Sequence, residues 1–187
     1  MKHRILAAAL ALGVLSSAPA AFAFQGISMI SPPDPQETRK APERDDNFLK
    51  MAAQSDMAEI AMAELAMERA QSPAVKEYAE QMLWDHKGAA VKNMMLAQKR
   101  RVVLPMAPNE EQQAMLTKLE GLQGAAFDKA YLEANVMAHE KAVQLFRDEA
   151  AYGLDADFRH FAATLLPKLH MHWEHAKMMT KPANGRR

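Results

Sequence analysis

The sequence predicts an all-α protein built on four long helices, and three observations carry that expectation. From Asp45 onward the chain is rich in Ala, Met, Leu, Glu, Gln and Lys and poor in glycine and β-branched residues, which is the composition of long helices. No stretch shows the apolar–polar alternation of a strand. Helix-breaking signals at Ser72-Pro73, in "VVLPMAP" and at Gly153 divide the chain into four runs.

The first helix is expected from about Asp45 to near Gln71, because Ser72 is an N-cap residue followed by a proline at the first helical position of the next helix. The second runs to about Arg100, where Pro105 and Pro108 forbid continuation. Asn109 and Gln112 make a capping box for a short helix that ends between Gly121 and Gly124. The third long helix spans about Ala125 to Tyr152 and stops at Gly153. The fourth spans about Asp155 to Thr180, with Pro167 expected to bend it. Residues 24–44 hold Pro32, Pro33, Pro35 and Pro42 among scattered charges and predict a disordered linker. Residues 181–187 predict a disordered tail, leaving 45–180 as the folded bundle.

Very short connections at Ser72 and Gly153 make each flanking pair of helices an antiparallel hairpin. The middle connection has some two dozen residues and its own short helix, enough to travel back along a helix of about 40 Å at about 1.5 Å per residue. This is the up-down-down-up order of ferritin-like four-helix bundles, with one long crossover.

The N-terminal "MKHRILAAALALGVLSSAPAAFAFQG" reads as a secretory signal peptide over residues 1–23: cationic start, short apolar run, then Ala-x-Ala before Phe24. Cleavage leaves 164 of the 187 residues, enough for one sizeable core, and no other run is apolar for long enough to enter a membrane. The mature protein is expected in the periplasm or secreted. With no cysteine it cannot be a lipoprotein held through an N-terminal cysteine, and disulfides contribute nothing. Cleavage removes Lys2 and Arg4 and no acid, leaving 21 basic against 23 acidic residues. A near-neutral mixed surface excludes nucleic acid as the main partner. No nucleophile arrangement or phosphate-binding glycine loop supports hydrolase or nucleotide chemistry.

The densest chemistry lies in "KLHMHWEHAKMM", Lys168 to Met179. At about 100° per residue, His172 shares a stripe with Leu165, Leu169, Ala176 and Met179, His170 points to water, and His175 lies on the flank. In the first helix Lys50 and Glu68 fall about 180° from Glu59, which puts Glu59 at the centre of the stripe of Phe48, Ala52, Ala63 and Ala66. In the second, Glu77 lies opposite His86. In the third, Asp148 lies opposite His139. Height agrees with phase: Glu59 stands 13 residues before Ser72 and His86 14 after it, while His139 stands 14 before Gly153 and His172 19 after it. Four groups from four helices thus fall in one layer.

An ionised carboxylate at the centre of an apolar stripe is costly unless paired or metal-bound. One carboxylate with three imidazoles is a first shell for Zn, Fe, Mn or Cu. Asp56, Asp85 and Glu140 are candidates to orient the imidazoles. The competing reading is a metal-free, hydrogen-bonded polar cluster. Met94-Met95, Met178-Met179 and Trp173 offer a weaker copper alternative of thioether, imidazole and indole.

"DDNFLKMAAQSDMAEIAMAELA", "YAEQMLWDH", "FDKAYLEANVMAHEKAVQLFRDEA" and "LLPKLHMHWEHA", in this order after a signal peptide, resemble the bacterial domain-of-unknown-function family numbered 4142 over roughly Asp45 to Met178. The resemblance implies a secreted ferritin-like bundle and points to Glu59, His86, His139 and His172; it brings no settled activity. Di-iron carboxylate proteins pair Glu and His three residues apart on two helices. Here Leu83 and Leu169 stand where those glutamates would, so a mononuclear site is expected. Three functions follow: a periplasmic protein binding one transition-metal ion for metal handling or oxidant protection; a metal-free envelope or stress-associated interaction protein; and, last, a mononuclear metal redox enzyme. The sequence names no protein partner.

Overall fold

The computed structural model describes residues 35–181. The predicted signal peptide 1–23, residues 24–34 of the predicted linker and residues 182–187 of the predicted tail lie outside the described residues. Five helices follow in order: α1 Pro35–Arg69, α2 Pro73–Arg100, α3 Glu110–Glu120, α4 Gly124–Tyr152 and α5 Ala156–Thr180. There is no strand among the described residues, and no helix among them is long and apolar enough to cross a membrane.

One boundary corrects the sequence reading. Helix α1 starts at Pro35, so residues 35–44, expected as linker, are its first turns. Pro35 stands at the first helical position, where its missing N–H has no intrahelical partner to lose. The residues after it, "QETRK", are mostly good helix formers. Sequence reasoning had counted Pro35 and Pro42 as breakers; α1 runs through Pro42 as α5 runs through Pro167.

The other ends follow local chemistry. Asn109 accepts from Gln112 N while the Gln112 side chain accepts from Asn109 N, the expected capping box. Asp155 caps α5 by accepting from the amides of Asp157 and Phe158. Helix α2 ends with Arg101 at φ 60°, a left-handed cap on a residue that carries a Cβ. Gly153 ends α4 at φ −57°, so conformation does not require glycine there; close approach does. A Cβ at Gly153 would sit 2.6 Å from the Glu149 carbonyl oxygen.

Two apolar clusters fill the bundle. The first gathers Met62, Ala63 and Ala66 of α1, Tyr78 and Met82 of α2, Phe127 and Tyr131 of α4 and Ala176 of α5. The second gathers Phe48 and Ala52 of α1, Ala97 of α2, Val143 and Phe146 of α4 and Phe158 and Phe161 of α5. Helices α1 and α5 therefore pass from the second cluster to the first, and α2 and α4 from the first to the second. Each hairpin turn is held by a carboxylate from outside that hairpin. Asp128 of α4 accepts from Gln71 N and Ser72 N at 3.0 and 2.9 Å. Asp45 of α1 accepts from Leu154 N and Asp155 N at 2.9 and 2.7 Å. These charge-assisted bonds fix the relative heights of the two hairpins, and with them the layer between the clusters.

Candidate metal centre

The layer between the two clusters is polar. Glu59, His86, His139 and His172 are all buried in it, between 1% and 4% exposed, one from each long helix. His170 is exposed, as its phase predicted. One nitrogen from each of His86, His139 and His172 lies within 4.8 Å of the others. The rings stand 5.4 to 5.9 Å apart, centroid to centroid.

Each imidazole is held by one nitrogen. His86 Nδ1 pairs with Asp56 Oδ1 at 2.8 Å, and His172 Nε2 with Asp85 Oδ2 at 2.9 Å. His139 Nδ1 lies 3.0 Å from the Asn135 carbonyl oxygen. A carbonyl only accepts, so His139 Nδ1 carries the proton and, in the neutral ring, Nε2 keeps its lone pair. The remaining nitrogens, His86 Nε2, His139 Nε2 and His172 Nδ1, are buried without a hydrogen-bond partner. Orphaned buried nitrogens are costly in a packed interior. An acceptor on the far side of each ring is the arrangement that orients imidazole ligands.

These residues fit a metal ion. Metal–nitrogen bonds of about 2.1 Å in a tetrahedral site put ligand nitrogens about 3.4 Å apart, so the three rings need only draw in modestly. Glu59 stands beside the triad. Its Oε1 is 3.7 Å from His139 Nδ1, too far for a hydrogen bond, and neither carboxylate oxygen has a partner. The structure brings the three histidines together as a donor set and places Glu59 next to it as an unpaired acid.

The electrostatics favour neutral ligands on two of the three. Burial holds His139 well below the ordinary histidine value, and charge on His86 and His172 adds to that. Burial, with His86 charge, lowers His172 to about 4, against the pull of Asp85. Burial also works against charge on His86, but the hydrogen bond and charge of Asp56, with Glu59 and Asp85, outweigh it and raise His86. Burial raises Glu59 to about 7 against the attraction of His86. Asp85 is pushed up by burial, yet its bonds to Lys168 and His172 bring it below the usual carboxylate range.

Of the three expected orienting residues, Asp56 and Asp85 hold rings and Glu140 does not: it is exposed on α4. Sequence reasoning missed the Asn135 carbonyl and the buried network around it. Tyr78 Oη donates to Asn135 Oδ1 at 3.1 Å, and Asn135 Nδ2 donates to the Tyr131 carbonyl at 3.0 Å. Asn135 lies one helical turn before His139, which is the only signal the sequence offered. The thioether alternative does not gather. Met94 and Met95 are exposed on the stretch of α2 leading to Ala97 in the second cluster, whereas Met179 packs against the first. Trp173 packs against the second cluster, with Lys177 Nζ 4.4 Å above its ring.

Solved structures share this fold. "CopM in the Cu(II)-bound form" is 20% identical with a TM-score of 0.62, over 73% of this chain and 95% of that one. "CopM in the Cu(I)-bound form" is 17% identical with a TM-score of 0.64, over 75% and 98%. A conserved hypothetical protein from Mycobacterium tuberculosis is 17% identical with a TM-score of 0.59, over 79% and 99%. No curated protein matches. The family model described as "Domain of unknown function (DUF4142)" matches residues 31–179, bracketing both hairpins and all four predicted site residues, and the chain belongs to that family.

Proposed function

We propose that this protein binds one transition-metal ion through His86, His139 and His172, with Glu59 as the fourth, anionic group, and serves metal handling or oxidant protection in the periplasm or outside the cell. One observation carries the reading: three inward-facing imidazoles from three helices, each clamped by a protein acceptor, each leave an unpartnered nitrogen in one buried layer. A bound ion would supply positive charge to those lone pairs and to Glu59. The chain's part is to hold the rings in their metal-ready orientation and to exclude water. Imidazole suits Zn, Cu and Fe, and a carboxylate such as Glu59 also suits Mn; the likeness to two structures described as copper-bound forms of CopM puts copper first among the ions to test.

The bundle reads as ferritin-like, in up-down-down-up order. Its support is the passage of α1 and α5 from one core cluster to the other and of α2 and α4 the opposite way. The periplasmic or secreted setting rests on the signal-peptide pattern of residues 1–23.

Elemental analysis of protein purified from its own compartment tests the reading. About one equivalent of a transition metal, lost in His86→Ala, His139→Ala and His172→Ala, is expected. Wild-type protein without metal that takes none up on titration would overturn it. The outcome would favour a metal-free interaction protein, a reading supported by the Asp56–His86 pair, which satisfies part of the layer unaided.

A further inference from the structure

Helix α2 carries an apolar stripe on the side turned away from His86. Trp84, Val91 and Met95 are 81%, 53% and 63% exposed, and together with Gly88 they recur at the spacing of one helix face. Single apolar residues on a surface are ordinary, but a continuous row headed by a bare indole marks an interaction surface. A Cβ added at Gly88 would meet nothing within 4 Å, so the chain's own packing does not require glycine there. In the middle of a helix glycine costs about 1 kcal/mol relative to alanine. What it offers is close approach of something from outside.

Charge says what approaches. Glu77 and Glu80 lie toward the N-terminal end of the stripe, Lys92 and Lys99 toward its C-terminal end. Lys99 reaches Asp157 of α5 at 2.6 Å and is still 62% exposed, while Glu77, Glu80 and Lys92 make no ion pair among the described residues. A face that is acidic at one end, basic at the other and apolar between them complements itself when a second copy lies antiparallel. A parallel copy would set acid against acid. Counting outward from Gly88 gives the register: Glu77 stands eleven residues before it and Lys99 eleven after, Trp84 four before and Lys92 four after.

We propose that α2 pairs with α2 of a second copy of this chain, antiparallel about a two-fold axis at Gly88. Each Glu77 then stands level with Lys99 of the other copy. Each Trp84 lies between Val91 and Lys92 of the other copy, covering apolar surface that the monomer leaves in water. The pairing goes beyond the metal reading and does not depend on it, because the stripe and the histidine layer lie on opposite sides of α2.

Sedimentation equilibrium of the purified protein over a range of concentrations tests this. Wild type is expected to show a reversible equilibrium of monomer and dimer, and His172→Ala to behave as wild type, which keeps the test apart from the metal centre. Trp84→Ala should raise the dissociation constant about thirtyfold or more, the effect of an interface anchor. Gly88→Leu, for which the single chain has room, should abolish the dimer without lowering the thermal midpoint. Glu77→Lys should weaken the dimer, and adding Lys99→Glu should reverse that loss. The chain has no cysteine, so Gly88→Cys should give a disulfide-linked dimer on oxidation, whereas Glu133→Cys, exposed on α4, should not. Folded wild type that stays monomeric at every concentration, a dimer untouched by Trp84→Ala and Gly88→Leu, or a dimer that Gly88→Cys fails to link would each overturn the proposal. So would monomeric wild type that binds anionic lipid vesicles through Trp84, since that assigns the stripe to a membrane surface.

Discussion

His170 and His172 stand two residues apart on α5, one exposed and the other 2% exposed. Their opposite placement was legible because a helix turns by about 100° per residue and apolar neighbours mark the inward side. Ring orientation was not legible, since it depends on acceptors brought from other helices: Asp85 of α2 holds His172, and Asp56 of α1 holds His86. Both acids were among the three candidates to orient the imidazoles, but the sequence of their own helices does not show which ring each one holds. Removing these acceptors frees the rings while leaving the ligands, so Asp56→Ala and Asp85→Ala are expected to weaken metal binding by about 10- to 100-fold, measured by competition with a chelator of known affinity. Unchanged affinity in both would mean the rings are not positioned through them. A second expectation concerns Glu149, buried beside Gly153. Burial, with the charge of Asp45, raises it to about 7 against the opposing pull of Arg44 and Arg159. In the unfolded chain it loses its proton near 4.5, so the folded state holds that proton more tightly. Its contribution is therefore fully present below about pH 4.5 and lost as pH rises through about 7. Glu149→Gln should remove that decline, gaining about 1–2 kcal/mol at pH 8 relative to pH 5 when compared with wild type in urea unfolding. Parallel pH profiles would contradict the assignment.

At the scale of elements, Ser72-Pro73, the Asn109–Gln112 box and the Gly153 stop were readable because each is local chemistry within a few residues. The start of α1 was misplaced because proline signals both a break and a helical first position, and sequence alone does not separate the two at Pro35. The glycine at position 153 was predicted as a helix stop, and its requirement comes from contact with Glu149, which a linear pattern does not show. Arg101 offers an element-scale test. Its left-handed conformation costs a residue with a Cβ about 1–2 kcal/mol, and glycine recovers that at an unfolded-state cost of about 0.4–1 kcal/mol. Arg101→Gly is accordingly expected to stabilise the protein by about 0.5–1 kcal/mol. Within the crossover, Asn109→Ala should cost about 1 kcal/mol through loss of the cap on α3. Thermal or urea unfolding reads both; destabilisation by Arg101→Gly would show that the side chain of Arg101 does more than endure its backbone.

Across the whole molecule, two apolar clusters enclose a polar layer, and the carboxylates Asp128 and Asp45 pin the opposite hairpin turns that set its height. Agreement of height across four helices followed from counting residues outward from Ser72 and Gly153, so the layer itself was visible in the sequence. A cavity bounded by α1, α3 and α4 comes from the packing of the crossover helix, which no residue count supplies. A ligand that binds the folded state alone stabilises it by about 2.7 kcal/mol at a hundredfold excess over its Kd. The most direct test of the central claim is thermal unfolding of wild type, His172→Ala and His170→Ala with and without copper or zinc. The account expects a metal-dependent gain of about that size in wild type and His170→Ala and none in His172→Ala; an equal gain in the two histidine variants would contradict it.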